Sequence, residues 1–418
     1  MTAPATTATS SWFGHPSGLS TLFFTEMWER FSYYGMRAFL ILYMTASVAN
    51  GGLIADRLLG QYRSVLIGGI VIALGHFTLA FKTIPSFYAG LVLIVLGTGL
   101  LKPNVSTIVG SLYDPADVRR DAGFSVFYMG INLGAFIGPL IAGYYAQRVN
   151  WHLGFAIAGF GMTLGLIQYV LGKPRLEPGL ARLAARPKPE ATGATEIPRG
   201  EGFTAEEKRR IAVIFVLFVF ASIFWGAYEQ AGSTLNLFGD RYSHNVVFGF
   251  EFPSSWYVSV QALFVILLAP VTAWVWMKLG DRQPSTPAKF ALALFSAGLA
   301  FLLLVPAGAI AQSGAGLKVS PLWLVGAYFI EEWGELSLSP IGLSAVTKLA
   351  PVRVVSVMMG VFFLSNSLGN KLAGWTAGFF SSMPLTQLFG AVAGVCLGAG
   401  VIMALLVKPV KAMMGGVR

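Results

Sequence analysis

Residues 290–317 read FALALFSAGLAFLLLVPAGAIAQSGAGL, an unbroken run without Asp, Glu, Lys or Arg. About 20 such residues carry an α-helix across a bilayer, and in lipid only a helix or a closed barrel satisfies its own backbone N–H and C=O groups. Uncharged runs recur at 64–81, 83–101, 122–147, 153–172, 211–228, 253–277, 354–370 and 372–407, the last long enough for nearly two crossings around Pro384. Composition agrees: 55% of the residues are hydrophobic and 11% charged, against about 25% charged in an ordinary soluble domain. These runs predict an all-α polytopic membrane protein with spans near 22–46, 62–81, 86–109, 122–146, 152–171, 210–237, 254–277, 289–309, 321–348, 354–380 and 385–407. The Thr/Ser/Ala-rich start has no basic region, which argues against a signal peptide. The one cysteine, Cys396, excludes an internal disulfide and a Cys-based metal site.

A net charge of +10 raises nucleic acid as a partner, and the placement of the charge removes it. If the loop at 57–63 is cytoplasmic, alternate loops gather most of the 29 basic residues, the largest group in 172–210. Only Lys82, Arg148, Arg241 and Lys318 fall on the other side. That asymmetry follows the positive-inside rule and places the C-terminus in the cytoplasm. The Pro-rich insert 172–209 reads as a cytoplasmic linker. The predicted parts are a tail (1–21), an N-terminal helix bundle (22–171), that linker, a C-terminal bundle (210–408) and a short tail (409–418). The first bundle has five spans and the second six, an odd total for a carrier assembled from three-helix units. The gap lies between span 1 and Gly51-Gly52-Leu53-Ile54-Ala55-Asp56-Arg57, where no room remains for an outer loop and a return helix.

Ionisable side chains inside a span cost at least about 2.5–3.5 kcal/mol on insertion scales, so they mark partners or wet paths. Span 1 holds Glu26, Glu29, Arg30 and Arg37, with Tyr33 and Tyr34 among them. Glu26 and Arg30 form an i,i+4 pair with the acid on the favourable side. Arg37 follows Glu26 by about three turns, on the same face and about 16 Å away. Lys102 lies within a span beside Pro103, and Glu229 follows a long uncharged run. Pro340 cannot donate to the Leu336 carbonyl, which leaves an acceptor beside Glu335. Glu331 and Glu332, one turn nearer the external end, read as solvated positions of less interest, Lys371 as a packing or gating charge, and His76 as a satisfied core histidine. No His-Glu-x-x-His, Gly-x-Ser-x-Gly or Walker-type loop is present, so the sequence carries no enzyme signature.

Glu26-Met27-Trp28-Glu29-Arg30-Phe31-Ser32-Tyr33-Tyr34-Gly35 resembles the Glu-x-x-Glu-Arg-Phe-x-Tyr-Tyr-Gly motif of the proton-dependent oligopeptide transporter family, within the major facilitator superfamily. Gly51 to Gly60 with Arg63, Phe124 to Ala135, Lys102-Pro103-Asn104, Phe224-Trp225 with Glu229-Gln230, and Gly334-Glu335 with Ser339-Pro340 extend the resemblance over about 20–408. It implies two pseudo-symmetric helix bundles and a proton-coupled symporter importing di- and tripeptides, with the proton as coupling ion and no other cofactor. It also implies a multi-pass location in the cell membrane and a functional monomer. By the same resemblance Arg37 and Lys102 receive the peptide carboxylate and Glu335 the ammonium. Tyr33, Tyr34, Asn132, Trp225 and Gln261, the last in place of a family asparagine, line the cavity, and Glu26, Glu29, Arg30 and Glu229 carry proton coupling. The family's second span, and the two extra helices that many bacterial members insert between the halves, are missing from this chain. Peptide termini lie roughly 6–10 Å apart, so recognition by the two backbone ends predicts tolerance of any side chain. A same-fold carrier of another anionic or zwitterionic solute is the nearest alternative, and a non-transporting membrane peptide sensor the next. Keeping both the acid and the two cations favours a zwitterion.

Overall fold

The computed structural model describes residues 11–44, 60–114, 117, 119–185, 203–314, 316–351 and 354–415. The chain divides into two units, Met1–Glu190 and Ala191–Arg418. The expected gap after span 1 and most of the Gly51–Gly60 signature lie outside the described residues.

In the first unit α1 (Gly18–Met44), α2 (Gln61–Leu79), α3 (Ile84–Ser111), α4 (Arg120–Gly138), α5 (Tyr144–Arg148) and α6 (Trp151–Leu171) follow the predicted spans. Pro139 lacks the N–H that would bond the Ala135 carbonyl, and there the path from α4 into α5 widens through a π turn, Pro139–Gly143. The insert read as a linker contains an unforeseen helix, α7 (Lys173–Ala184), which buries Leu176 and Gly179. The apolar core joins Leu19 and Leu22 of α1 to Ile72, Leu101, Ile108 and Met162.

Helices α2 and α3 meet through two facing glycine pairs. A methyl group added at Gly75 would sit 2.8 Å from the Gly90 carbonyl oxygen, and one at Gly90 would sit 2.7 Å from that of Gly75. Gly68 meets Gly97 as closely, at 2.7 Å from its carbonyl oxygen. Lipid offers no hydrophobic force to press two helices together, so close backbone approach through small residues supplies the packing energy instead. Gly75→Leu should therefore lower unfolding stability by about 1–3 kcal/mol, read as the thermal transition in detergent. Gly99→Leu is its control, because a methyl group at Gly99 meets nothing within 4 Å.

The segment expected as a plain tail instead forms a two-residue hairpin, β1 (Ser11–Trp12) against β2 (His15–Pro16). Its turn residue Gly14 takes φ 78°, a left-handed conformation that glycine adopts without a Cβ clash. Arg119 Nη1 donates to the Gly14 carbonyl at 2.9 Å and Arg119 Nη2 pairs with Asp117 at 2.8 Å. Hydrogen bonds from Arg119 hold the Asp117 carboxyl down at about 2.

In the second unit α8 (Ala205–Tyr228) starts at a capping box, in which Thr204 accepts from the Glu207 N–H while the Glu207 side chain accepts from Thr204. The span expected at 210–237 is not one continuous α-helix. A 3-10 turn, Glu229–Gly232, separates α8 from α9 (Thr234–Tyr242). After a short hairpin, β3 (Val246–Val247) with β4 (Phe250–Glu251), come α10 (Trp256–Leu279), α11 (Thr286–Ala311), α12 (Leu322–Leu349), α13 (Val355–Ala377) and α14 (Leu385–Met413). Among the described residues, eight helical segments are long and apolar enough to cross a membrane. α1 and α12 are as long and differ in carrying clustered charge.

Candidate functional site

Three charged residues of α1, Glu26, Glu29 and Arg30, are buried inside the first unit, each 3% exposed or less. The i,i+4 contact expected from the sequence is present but long, with Arg30 Nε 3.7 Å from Glu26 Oε1. The closer partner is the adjacent Glu29. Its two carboxylate oxygens accept from Arg30 Nε and Nη2 in a two-point fork. Adjacent helix positions do not normally face each other, but in a dry interior the bidentate charge-assisted geometry outweighs the strain of folding the arginine back. The guanidinium also lies over the Tyr33 ring at 4.6 Å and near that of Tyr34 at 5.7 Å, where the π faces stabilise a cation. The two phenol rings meet edge-on, 5.2 Å apart, and both are half-buried.

The Lys102 ammonium acts electrostatically on Glu26, and α3 runs on through Pro103 with the Lys102 side chain exposed. Asn132 is buried and turned onto its own helix, Nδ2 donating to the Tyr128 carbonyl at 3.0 Å. Arg37 lies within α1, and its side chain falls outside the described residues. His76 is fully buried as expected, but only half satisfied: Nε2 contacts the Ser32 hydroxyl, whereas Nδ1 has no hydrogen-bond partner.

In the second unit Glu229 sits at the joint where α8 gives way to the 3-10 turn and is half-buried, as is Trp225 one turn earlier. Trp225 packs edge-on against Tyr228, 5.2 Å between centroids. Glu335 on α12 is 5% exposed, and its Oε2 has no hydrogen-bond partner. Gln261 on α10 is 8% exposed. It approaches Glu332 with its Nε2 outside hydrogen-bonding geometry. Lys371 is exposed on α13.

The reading of Glu331 and Glu332 as solvated positions is overturned. They are 1% and 0% exposed. Tyr228 donates to Glu332 Oε1 at 3.1 Å, while Glu332 Oε2 and both oxygens of Glu331 have no hydrogen-bond partner. The available signal was three acids within five positions of an otherwise apolar helix. Among the described residues no group of His, Cys, Asp and Glu is arranged to hold a metal ion.

The model of the POT family matches this chain over residues 62–177 and 200–393. The uncharacterized transporter YclF of Bacillus subtilis is 40% identical, the alignment covering 97% of this chain and 96% of YclF. The peptide transporter YePEPT of Yersinia enterocolitica is 36% identical over 99% of this chain and 98% of its own length. A crystal structure of a peptide transporter POT in complex with sulfate superposes with a TM-score of 0.85 at 39% identity, covering 98% of both chains. The two sequence alignments run over 479 and 501 positions, more than the 418 residues available here, so these relatives carry internal segments that this chain lacks.

Proposed function

The chain belongs to the POT family, and on that premise we propose that it is a proton-coupled symporter that imports di- and tripeptides by alternating access. It is a multi-pass helical membrane protein with the fold of that family's transporters. In this reading it works as a monomer in the cell membrane with its C-terminus in the cytoplasm. The observation that carries the substrate class is the charge complement kept within the spans. Glu335 is buried and without an ion pair among the described residues, and Arg37 and Lys102 lie in the helices α1 and α3. A peptide zwitterion matches that complement, with its carboxylate taken by Arg37 and Lys102 and its ammonium by Glu335. A simple anion gives the buried acid nothing to do. Tyr33, Tyr34, Asn132, Trp225 and Gln261 complete the lining.

Proton coupling is assigned to Glu26, Glu29, Arg30 and Glu229. Arg30 holds two carboxylates at once, one by a fork and one at 3.7 Å, so protonating either acid frees part of the guanidinium to pair elsewhere. Coupling requires that proton and peptide each bind one conformation more tightly than another. Labelled dialanine uptake into proteoliposomes tests the reading. Accumulation should require an inward proton gradient, collapse with an ionophore, and be competed by tripeptides but not by free alanine. Accumulation that ignores the gradient would refute the symport. Glu229→Gln should abolish gradient-driven accumulation while peptide counterflow persists, and unchanged accumulation would remove Glu229 from the coupling role.

A further inference from the structure

We infer that Glu331 and Glu332 form a proton-binding site of their own inside the second unit, distinct from Glu229 and from the α1 cluster, and that its proton is released when a cation reaches Glu335. The inference rests on the assignment of Glu335 to the peptide ammonium.

Burial and the lack of partners carry it. Neither acid makes an ion pair among the described residues, and three of their four carboxylate oxygens have no hydrogen-bond partner. A bare carboxylate so deeply buried is costly, because no cation among the described residues offsets its lost hydration. A neutral carboxylic acid escapes most of that cost. The groups that act on the pair are Glu335 on the same helix, Tyr228 and Gln261 by way of Glu332, and, electrostatically, Glu229 at the end of α8 and Cys396 on α14. None of them carries a positive charge that would offset two bare carboxylates side by side.

Gln261 is the independent sign of a ligand. Its side chain is more than nine-tenths buried and turned toward Glu332, yet its Nε2 has no hydrogen-bond partner. The amide oxygen can accept from a protonated Glu332, and once the proton leaves, Nε2 and the Tyr228 hydroxyl can both donate to the carboxylate. The site thus has donors for both states, as a group that loads and unloads a proton requires. A metal ion does not fit, since no suitable donor group is present among the described residues.

The link to Glu335 is electrostatic. Glu332 and Glu335 are three residues apart on α12, neighbours on a helix face, and they act on each other as like charges. A negative Glu335 strengthens the hold of the pair on its proton, and an ammonium placed on Glu335 cancels that effect. By reciprocity, loading the pair with its proton weakens cation binding at Glu335 by the same factor.

Two measurements on the full-length protein test this. In infrared difference spectra the wild type should show a protonated-carboxyl C=O band that Glu331→Gln/Glu332→Gln loses. In weakly buffered detergent solution with a pH dye, dialanine should release protons from the wild type, N-acetyl-dialanine should not, and the double variant should release at least twofold fewer. Glutamine is neutral and nearly isosteric, and an unchanged thermal transition confirms the fold. A band that survives the double substitution overturns the proton site. A band that disappears while dialanine elicits no proton release keeps the site and overturns its link to Glu335. If dialanine does not bind the wild type at all, the peptide reading fails, and the infrared result still decides the proton site.

Discussion

Arg30→Ala should remove gradient-driven peptide uptake by 100-fold or more (on the order of 3 kcal/mol) and should also strip the protein of much of its stability. Glu26 and Glu29 are 3% and 1% exposed, and Arg30 is the cation that forks onto one and reaches the other. Deleting one member of a buried ion pair costs about 3–5 kcal/mol, because the abandoned charge stays buried. Lost folding and lost mechanism are separated by adding Glu26→Gln and Glu29→Gln to Arg30→Ala. The triple variant has no stranded charge, so its thermal transition in detergent should recover toward the wild type while uptake stays absent. Arg30→Lys should fold but transport poorly, since an ammonium keeps the charge and loses the planar two-point fork and its seat over Tyr33. Recovery of uptake in the triple variant would make the cluster a structural anchor only.

How much of this was legible in the sequence depended on the kind of physics involved. Uncharged runs of membrane length located the helices, because hydration cost acts on every residue of a span alike. Local backbone chemistry was harder to place. The π turn at Pro139, the 3-10 break at Glu229 and the short helix α7 each depend on how a neighbouring turn repairs its hydrogen bonds, which hydropathy does not encode. For the candidate site, residue type and spacing singled out Glu26, Glu29, Arg30, Glu229 and Glu335. They misjudged Glu331 and Glu332, because depth along a helix says nothing about which neighbours close over a side chain. Tyr228 and Gln261 come from two other helices to reach Glu332. The preference of Arg30 for Glu29 over Glu26 was likewise invisible, since helical spacing alone points to the i,i+4 partner.

Glu335→Gln should cut dialanine uptake by about 100-fold, close to the 1.5–3 kcal/mol carried by a hydrogen bond to a charged group. It should do so without harm to the fold. Glu335 is 5% exposed with Oε2 lacking a hydrogen-bond partner. Exchanging a buried acid for a neutral group of the same shape relieves a desolvation cost and breaks no ion pair. The thermal transition should therefore stay level or rise while transport falls, the reverse of the Arg30→Ala pattern. Competition assays then locate the defect on the ligand. In the wild type N-acetyl-dialanine, which lacks the ammonium, should compete far more weakly than dialanine. In Glu335→Gln the two should compete almost equally, because the group that tells them apart is gone. If Glu335→Gln still prefers dialanine by the wild-type margin, the ammonium is received elsewhere, and the case for a zwitterionic substrate loses the residue on which it rests.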